Sequence, residues 1–246
     1  MKFKLLVAAL GVAASGFAIA DTYQVDLSAN ALRFENDQSN NTHEAFELGG
    51  SYYFKAVETN NLPLAEAAYL GKNSNVFAGF GVSPKQNGVP NQKVYAVGAE
   101  FYIPESFLYV SAGASRYSVN HEHDHDWFTT VGVTPIDGLL VTTSYNHEDG
   151  YDANIHAKYV TSIGTGQFIN VEAGLADTDF GTYKSVGGDF YIDNTFSVGA
   201  NIADDDTGTE YTLRTTKFFT EQFSANLAFT DADEGNEFVV GASFRF

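Results

Sequence analysis

The densest run of chemistry-capable side chains is His121-Glu122-His123-Asp124-His125-Asp126. Imidazole nitrogens and carboxylates are ligands for zinc or copper, and in an extended chain His121, His123 and His125 fall on one side. The same residues also suit a polar surface loop that holds no metal, so the three histidines are weak metal candidates. His147-Glu148-Asp149 adds acid–base groups, but no nucleophile elbow accompanies it, and the sequence implies no cofactor. A third set is dispersed along the chain: Asp26, Glu47, Glu100, His156, Lys158, Glu172, Asp189, Arg214 and Arg245. These ionisable groups sit in or beside alternating rows of apolar residues. Such groups need water or a partner, because an unpaired buried charge is costly.

The rows themselves say what positions this third set. Phe238, Val240, Ala242, Phe244 and Phe246 alternate with Val239, Gly241, Ser243 and Arg245, the period-two pattern of a strand. Similar segments recur from Tyr23-Val25-Leu27-Ala29 (indexed by alternate residues) through Phe223-Ala225-Leu227-Phe229. They add up to about 14 strands, with 12 or 16 as alternatives, an even number as closed outer-membrane barrels require. The connections alternate along the chain. Turns at 104–106, 137–138, 164–166, 193–194 and 220–221 are near-minimal. The connections at 36–42, 83–92, 120–126, 147–150, 178–181, 204–208 and 231–236 are more polar and mostly longer. That asymmetry separates a periplasmic from an outer side. Residues 55–73 break it, being long on the short-turn side; there, Leu64-Ala65-Glu66-Ala67-Ala68-Tyr69-Leu70 reads as a helical turn or two.

Composition bounds the function. A formal charge of −18 makes nucleic-acid binding improbable, and an absence of cysteine rules out a disulfide framework. Met1-Lys2-Phe3-Lys4, the apolar run Leu5–Ala14 and Ala18-Ile19-Ala20 before Asp21 read as a signal peptide over 1–20, leaving one domain over 21–246. No later apolar run is long enough for a spanning helix. A soluble sandwich would also alternate, but its two sheets would show buried central strands. Here the alternation is uniform, and the second face carries Gln, Asn, Ser, Thr, Gly and charge. The expectation is an all-β, closed antiparallel transmembrane barrel.

At this point the chain resembles the general porins of proteobacterial outer membranes. The residues that carry the resemblance are the leader, Pro63-Leu64-Ala65-Glu66-Ala67-Ala68-Tyr69-Leu70, Gly98-Ala99-Glu100-Phe101-Tyr102-Ile103-Pro104 and the final Phe246. The resemblance implies a water-filled channel for passive diffusion of small hydrophilic solutes and ions. It implies outer-membrane lipid and lipopolysaccharide as surroundings and assembly by the barrel-assembly machinery, for which Phe246 resembles the recognition signal. One departure stands out: larger trimeric porins fold a long outer loop into the lumen, and the longest outer connection here is 83–92. Monomer and homo-oligomer are both open. The alternatives are a structural or adhesive barrel without a pore and an outer-membrane hydrolase.

In such a barrel the third set of residues would line the pore. Gly98, Gly113, Gly132, Gly174, Gly199 and Ser243 would widen it, and the acidic outer loops would favour cations. The helix at 55–73 would tuck into the lumen, with Glu66 and Tyr69 at the constriction and Arg245 within its range. The last strand would close the sheet against Tyr23–Ala31.

Overall fold

Alternation fixes which face of each strand is apolar, and the apolar faces all turn outward. The computed structural model describes residues 22–37, 41–120, 122–147, 152–178 and 181–246. The predicted signal peptide, His121, Glu148 and Asp149 lie outside them. Fourteen strands form the wall: β1 (Thr22–Asn36), β2 (Asn41–Glu58), β3 (Asn75–Ser83), β4 (Gln92–Tyr102), β5 (Leu108–Val119), β6 (Glu122–Val133), β7 (Leu139–Asn146), β8 (Asn154–Gly164), β9 (Gln167–Thr178), β10 (Gly181–Asp193), β11 (Phe196–Asp205), β12 (Gly208–Phe218), β13 (Phe223–Ala232) and β14 (Gly235–Arg245). Each pairs antiparallel with its sequence neighbours, and β1 pairs with β14, so the ring is closed. Closure satisfies the backbone without an open edge, the condition for strands in a bilayer. No helix among the described residues is long and apolar enough to cross a membrane.

The seam between β1 and β14 keeps one register from Asp26 opposite Arg245 to Asn36 opposite Gly235. It ends on a bulge, where the amides of Gln24 and Val25 both donate to the carbonyl of Phe246, each at 2.8 Å. An extra residue on one strand reverses the facing of what precedes it. Tyr23, predicted on the outward row with Val25 and Leu27, therefore turns into the lumen. There it meets Tyr53 edge-on at 5.6 Å and is buried.

The molecule is apolar on the outside. Leu27, Phe46, Leu48, Val97, Val131, Leu175, Val186, Leu213 and Phe238 are all exposed on the outer wall, a continuous apolar surface that belongs against lipid. The buried apolar cluster is Tyr23, Tyr53, Val57 and Ala67, flanked by Leu62 and Ala68. It lies where the 59–73 segment meets the inner wall.

Several predicted outer loops are shorter than read. Residues 122–126 continue β6, and β9 reaches Thr178 before β10 starts at Gly181. Strands run on beyond the apolar band because their ladders continue there with polar side chains. Hydrophobic periodicity ends at the edge of the band, so it gives no sign of the extension.

Candidate functional site

The segment between β2 and β3 is built from short-range bonds that are weak alone. Pro63 takes φ −62° ahead of a 3₁₀ turn at Leu64–Glu66, which leads into a single α-helical turn, α1 (Ala67–Leu70). The amides of Glu66, Gly71 and Lys72 donate to Pro63 O, Ala67 O and Tyr69 O at 2.9, 2.9 and 3.0 Å. Lys72 exits in the left-handed region, φ 50°. A helix of one turn is unstable in isolation, so partners on the wall must hold it.

Those partners stand on both sides of the barrel. On the β14–β1–β2 side, Leu64 and Ala67 are buried, the latter against Tyr23, Tyr53 and Val57. Arg245 donates from Nη1 to Leu64 O at 2.6 Å. Its guanidinium also lies 4.6 Å from the Tyr23 ring and 4.4 Å from the Phe218 ring, the geometry of cation–π contact. Asp26, fully buried, faces Arg245 at 3.8 Å. On the β8–β10 side, the Glu66 carboxylate receives Lys158 Nζ at 2.9–3.0 Å and the Tyr191 hydroxyl at 2.7 Å. The Tyr69 hydroxyl points at the carbonyls of Gly138 and Lys158, both at 2.9 Å. Burial, reinforced by the charge of Glu66, pushes the Tyr69 phenol up, so it stays a donor. In the fourteen-strand ring β1 and β8 are seven strands apart in either direction. The segment therefore reaches from one wall to the opposite one.

From Lys158 a polar network continues round the inner wall. Lys158 lies 3.5 Å from Glu172, and His156 lies 3.9 Å from it. Asn170 donates to Glu172 at 2.6 Å and to Asp189 at 3.2 Å. Arg214 grips Asp189 through two bonds of 2.9 and 2.7 Å, the fork geometry that makes Arg–carboxylate pairs strong. Gly199 makes room for that pair: a β-carbon there would sit 2.1 Å from an Asp189 oxygen.

The sequence-predicted residues thus fall into separate groups. Glu66, Tyr69, Lys158, Glu172, His156, Asp189 and Arg214 form one assembly, and Asp26 with Arg245 a second one that shares the helical segment. Glu100 stands apart, bonded to Asn75 at 2.6 Å and to the Tyr109 hydroxyl at 2.7 Å. Glu47 also stands apart, opposite Asn30 in the β1–β2 ladder. His123 and His125 lie exposed on the outward side of β6, and no cluster of three potential metal ligands occurs among the described residues. His147 stacks on Trp127, ring centres 5.4 Å apart. Two of the predicted pore-widening glycines have another role. The Phe77 and Phe128 rings lie over Gly98 and Gly113, 2.4 and 2.5 Å from where a β-carbon would be, so the space those glycines leave is filled by a neighbour's ring.

The residues missing from the sequence reading are aromatic or amide: Tyr23, Tyr53, Tyr191, Phe218 and Asn170. Tyr53, Tyr191 and Phe218 share one detectable feature. Each is a bulky ring on the otherwise polar face of its strand, close to a periplasmic turn.

The family described as "Putative general bacterial porin" matches residues 1–134, more than half of the chain. Among solved structures, the outer membrane protein Omp33 of Acinetobacter baumannii is similar at a TM-score of 0.76 and 25% identity, over 92% of this chain and 99% of that one. A bacterial polysaccharide outer membrane secretin is similar at 0.51 and 11% identity, over 91% and 99% of the two chains. The monoaromatic hydrocarbon channel TodX, as its deltaS2S3 mutant, is similar at 0.50 and 10%, over 92% and 91%. The last two likenesses speak for the barrel fold alone. Among curated proteins the sequence comparison found no match. A closed fourteen-strand barrel with a lipid-facing exterior, a charged interior and this family match identifies the chain as a member of the general bacterial porin family, a channel protein of the bacterial outer membrane.

Proposed function

We propose that the protein is a diffusion channel for small hydrophilic solutes and ions, and that residues 59–73 set its permeability at the periplasmic mouth. The observation that carries this reading is the span of the helical segment, fixed by Arg245 on one wall and by Lys158 and Tyr191 on the other. Solutes entering from outside would pass the charged inner wall of Glu47, Glu100, His156, Lys158, Glu172, Asp189 and Arg214 before meeting Glu66 and Tyr69. The excess of acidic residues, with a formal charge of −18, supports a preference for cations. Residues 1–20 would direct export and be removed, and Phe246 would serve the assembly machinery.

Planar-bilayer recording and swelling of sugar-loaded liposomes test the channel. The expected outcome is stepwise conductance, with a larger step after deletion of Leu62–Lys72. Conductance and selectivity unchanged by the deletion would remove the segment from the permeation path. The two-sided anchoring also favours a second reading, a barrel held closed by its own segment. That reading is right if the intact chain is silent in both assays and conducts only after the deletion.

A further inference from the structure

One sector of the outer wall does not fit the acidic character of the chain. On β4, Lys93 and Tyr95 point outward, between buried Gln92 and Val94 on the inner side. On β5 the outward residues at the same height are Arg116 and Ser118, and on β6 they are His123 and His125. The register aligns them in two rows across adjacent strands: Tyr95–Arg116–His125 and Lys93–Ser118–His123. Side chains of neighbouring strands in such rows stand about 5 Å apart, so four basic or imidazole groups share one small field. Their acidic neighbours Glu122, Asp124 and Asp126 alternate to the other side of β6.

Two other basic residues on the outer side of the wall, Arg33 and Lys184, differ. Arg33 on β1 is gripped by Glu35, and Lys184 on β10 faces Asp204 at 4.0 Å. Neither Lys93 nor Arg116 has an ion-pair partner among the described residues. The height of the field is also informative. The next row toward the membrane centre is Val97–Ala114–Trp127, apolar and lipid-facing, with Trp127 packed against Tyr145 at 5.2 Å. Aromatic residues of this kind mark the boundary between hydrocarbon and headgroups. The basic groups stand immediately above it, where the phosphates of the outer leaflet lie. Guanidinium and ammonium groups at that level bind phosphate, the former through two parallel bonds.

We infer that the outer face of β4, β5 and β6, centred on Lys93 and Arg116, is a binding site for a phosphorylated glycolipid headgroup of the outer leaflet. Arg116 and Lys93 hold the phosphate, His123 and His125 donate to its remaining oxygens or to sugar hydroxyls, and Tyr95 and Trp127 border the acyl chains. This site rests on the outer-membrane placement and is independent of whether the lumen conducts.

Native mass spectrometry of the detergent-purified full chain, titrated with diphosphorylated lipid A, tests it. The expected result is a one-to-one adduct on the wild type and about tenfold weaker retention by Lys93→Gln/Arg116→Gln. Arg33→Gln, at a neutralised position, should retain lipid as the wild type does. Dephosphorylated lipid A should bind as weakly as the double variant, a comparison on wild type that needs no substitution. Equal retention of the phosphorylated and dephosphorylated lipids would overturn the site, as would equal retention by wild type and double variant. Displacement by inorganic phosphate or phosphatidylglycerol at the lipid A concentration would overturn the glycolipid assignment. Bilayer conductance of the double variant should match wild type, which separates this site from the channel.

Discussion

At the residue scale the decisive side chain is Arg245. It combines a bond to a backbone carbonyl of the helical segment, two ring contacts and a buried carboxylate 3.8 Å away. Replacing it with alanine removes the tie to Leu64 and leaves Asp26 buried without its counter-charge. Losing one partner of a buried pair costs about 3–5 kcal/mol. The expected outcome of Arg245→Ala is a lower unfolding temperature together with noisier, larger conductance steps, measured by thermal melts in detergent and by bilayer recording. On the opposite wall, Tyr191→Phe removes one hydrogen bond to a charged acceptor and nothing else. Such bonds contribute about 1.5–3 kcal/mol. The population with the segment displaced should therefore rise roughly tenfold or more, where 1.4 kcal/mol is a factor of ten. Single-channel open probability reads that change directly. Glu66→Gln and Lys158→Gln should be strongly non-additive when combined, because the two groups form one ion pair.

At the element scale, the helical segment owes its conformation to the walls. One α-helical turn has too few internal bonds to pay for its own ordering, so its anchors and its shape are a single cooperative unit. Wall strands are different: each is held by two neighbours and by the face it presents to lipid. Gly199 on β11 shows the coupling between elements. Its missing side chain leaves room for the Asp189 carboxylate, which Arg214 holds from β12. Gly199→Ala should push that carboxylate aside and break the two-bond grip, with a local shift of the β10–β11 ladder where the new β-carbon meets the carbonyl of Gly188. The expected readout is altered ion selectivity in a salt gradient with little change in the strand signal of circular dichroism. Unchanged reversal potential would show that the Asp189–Arg214 pair stands outside the ion path.

At the scale of the whole molecule, the seam between β1 and β14 joins the two ends of the described chain. It is the contact of greatest sequence separation, and loop-closure entropy makes such contacts late in folding. Phe246 takes part twice, through its backbone bonds to Gln24 and Val25 and through an exposed ring at the lipid-facing surface. Phe246→Ser should lower the yield of heat-modifiable, folded barrel in outer-membrane fractions far more than it alters the conductance of the barrels that assemble. The charge of the molecule acts at this scale also. With a formal charge of −18, a reversal potential favouring cations is expected, and it should weaken at high salt as screening shortens the reach of the acidic groups. An anion-favouring value would reject that reading.

The sequence by itself determined the barrel and the facing of nearly every wall residue, because a period of two is a local property that lipid and water enforce at every step along the chain, while among 12, 14 and 16 strands it was closure that decided on fourteen. It also placed a helix at 64–70 and charges such as Lys158, Glu172 and Asp189 on the inner face. Tertiary structure decided what those charges touch. Lys158 and Glu66 are 92 positions apart, and Arg245 and Leu64 are 181 apart; no local pattern encodes such pairings. Pairing also decided the fate of Tyr23, since the irregularity that turns it inward arises where β1 meets both its neighbours, as a register shift against β2 and as two amides on the carbonyl of Phe246. The rings over Gly98 and Gly113 come from adjacent strands, and the basic field on β4–β6 from three of them. Register between strands, a relation between distant segments, converts a list of facings into sites.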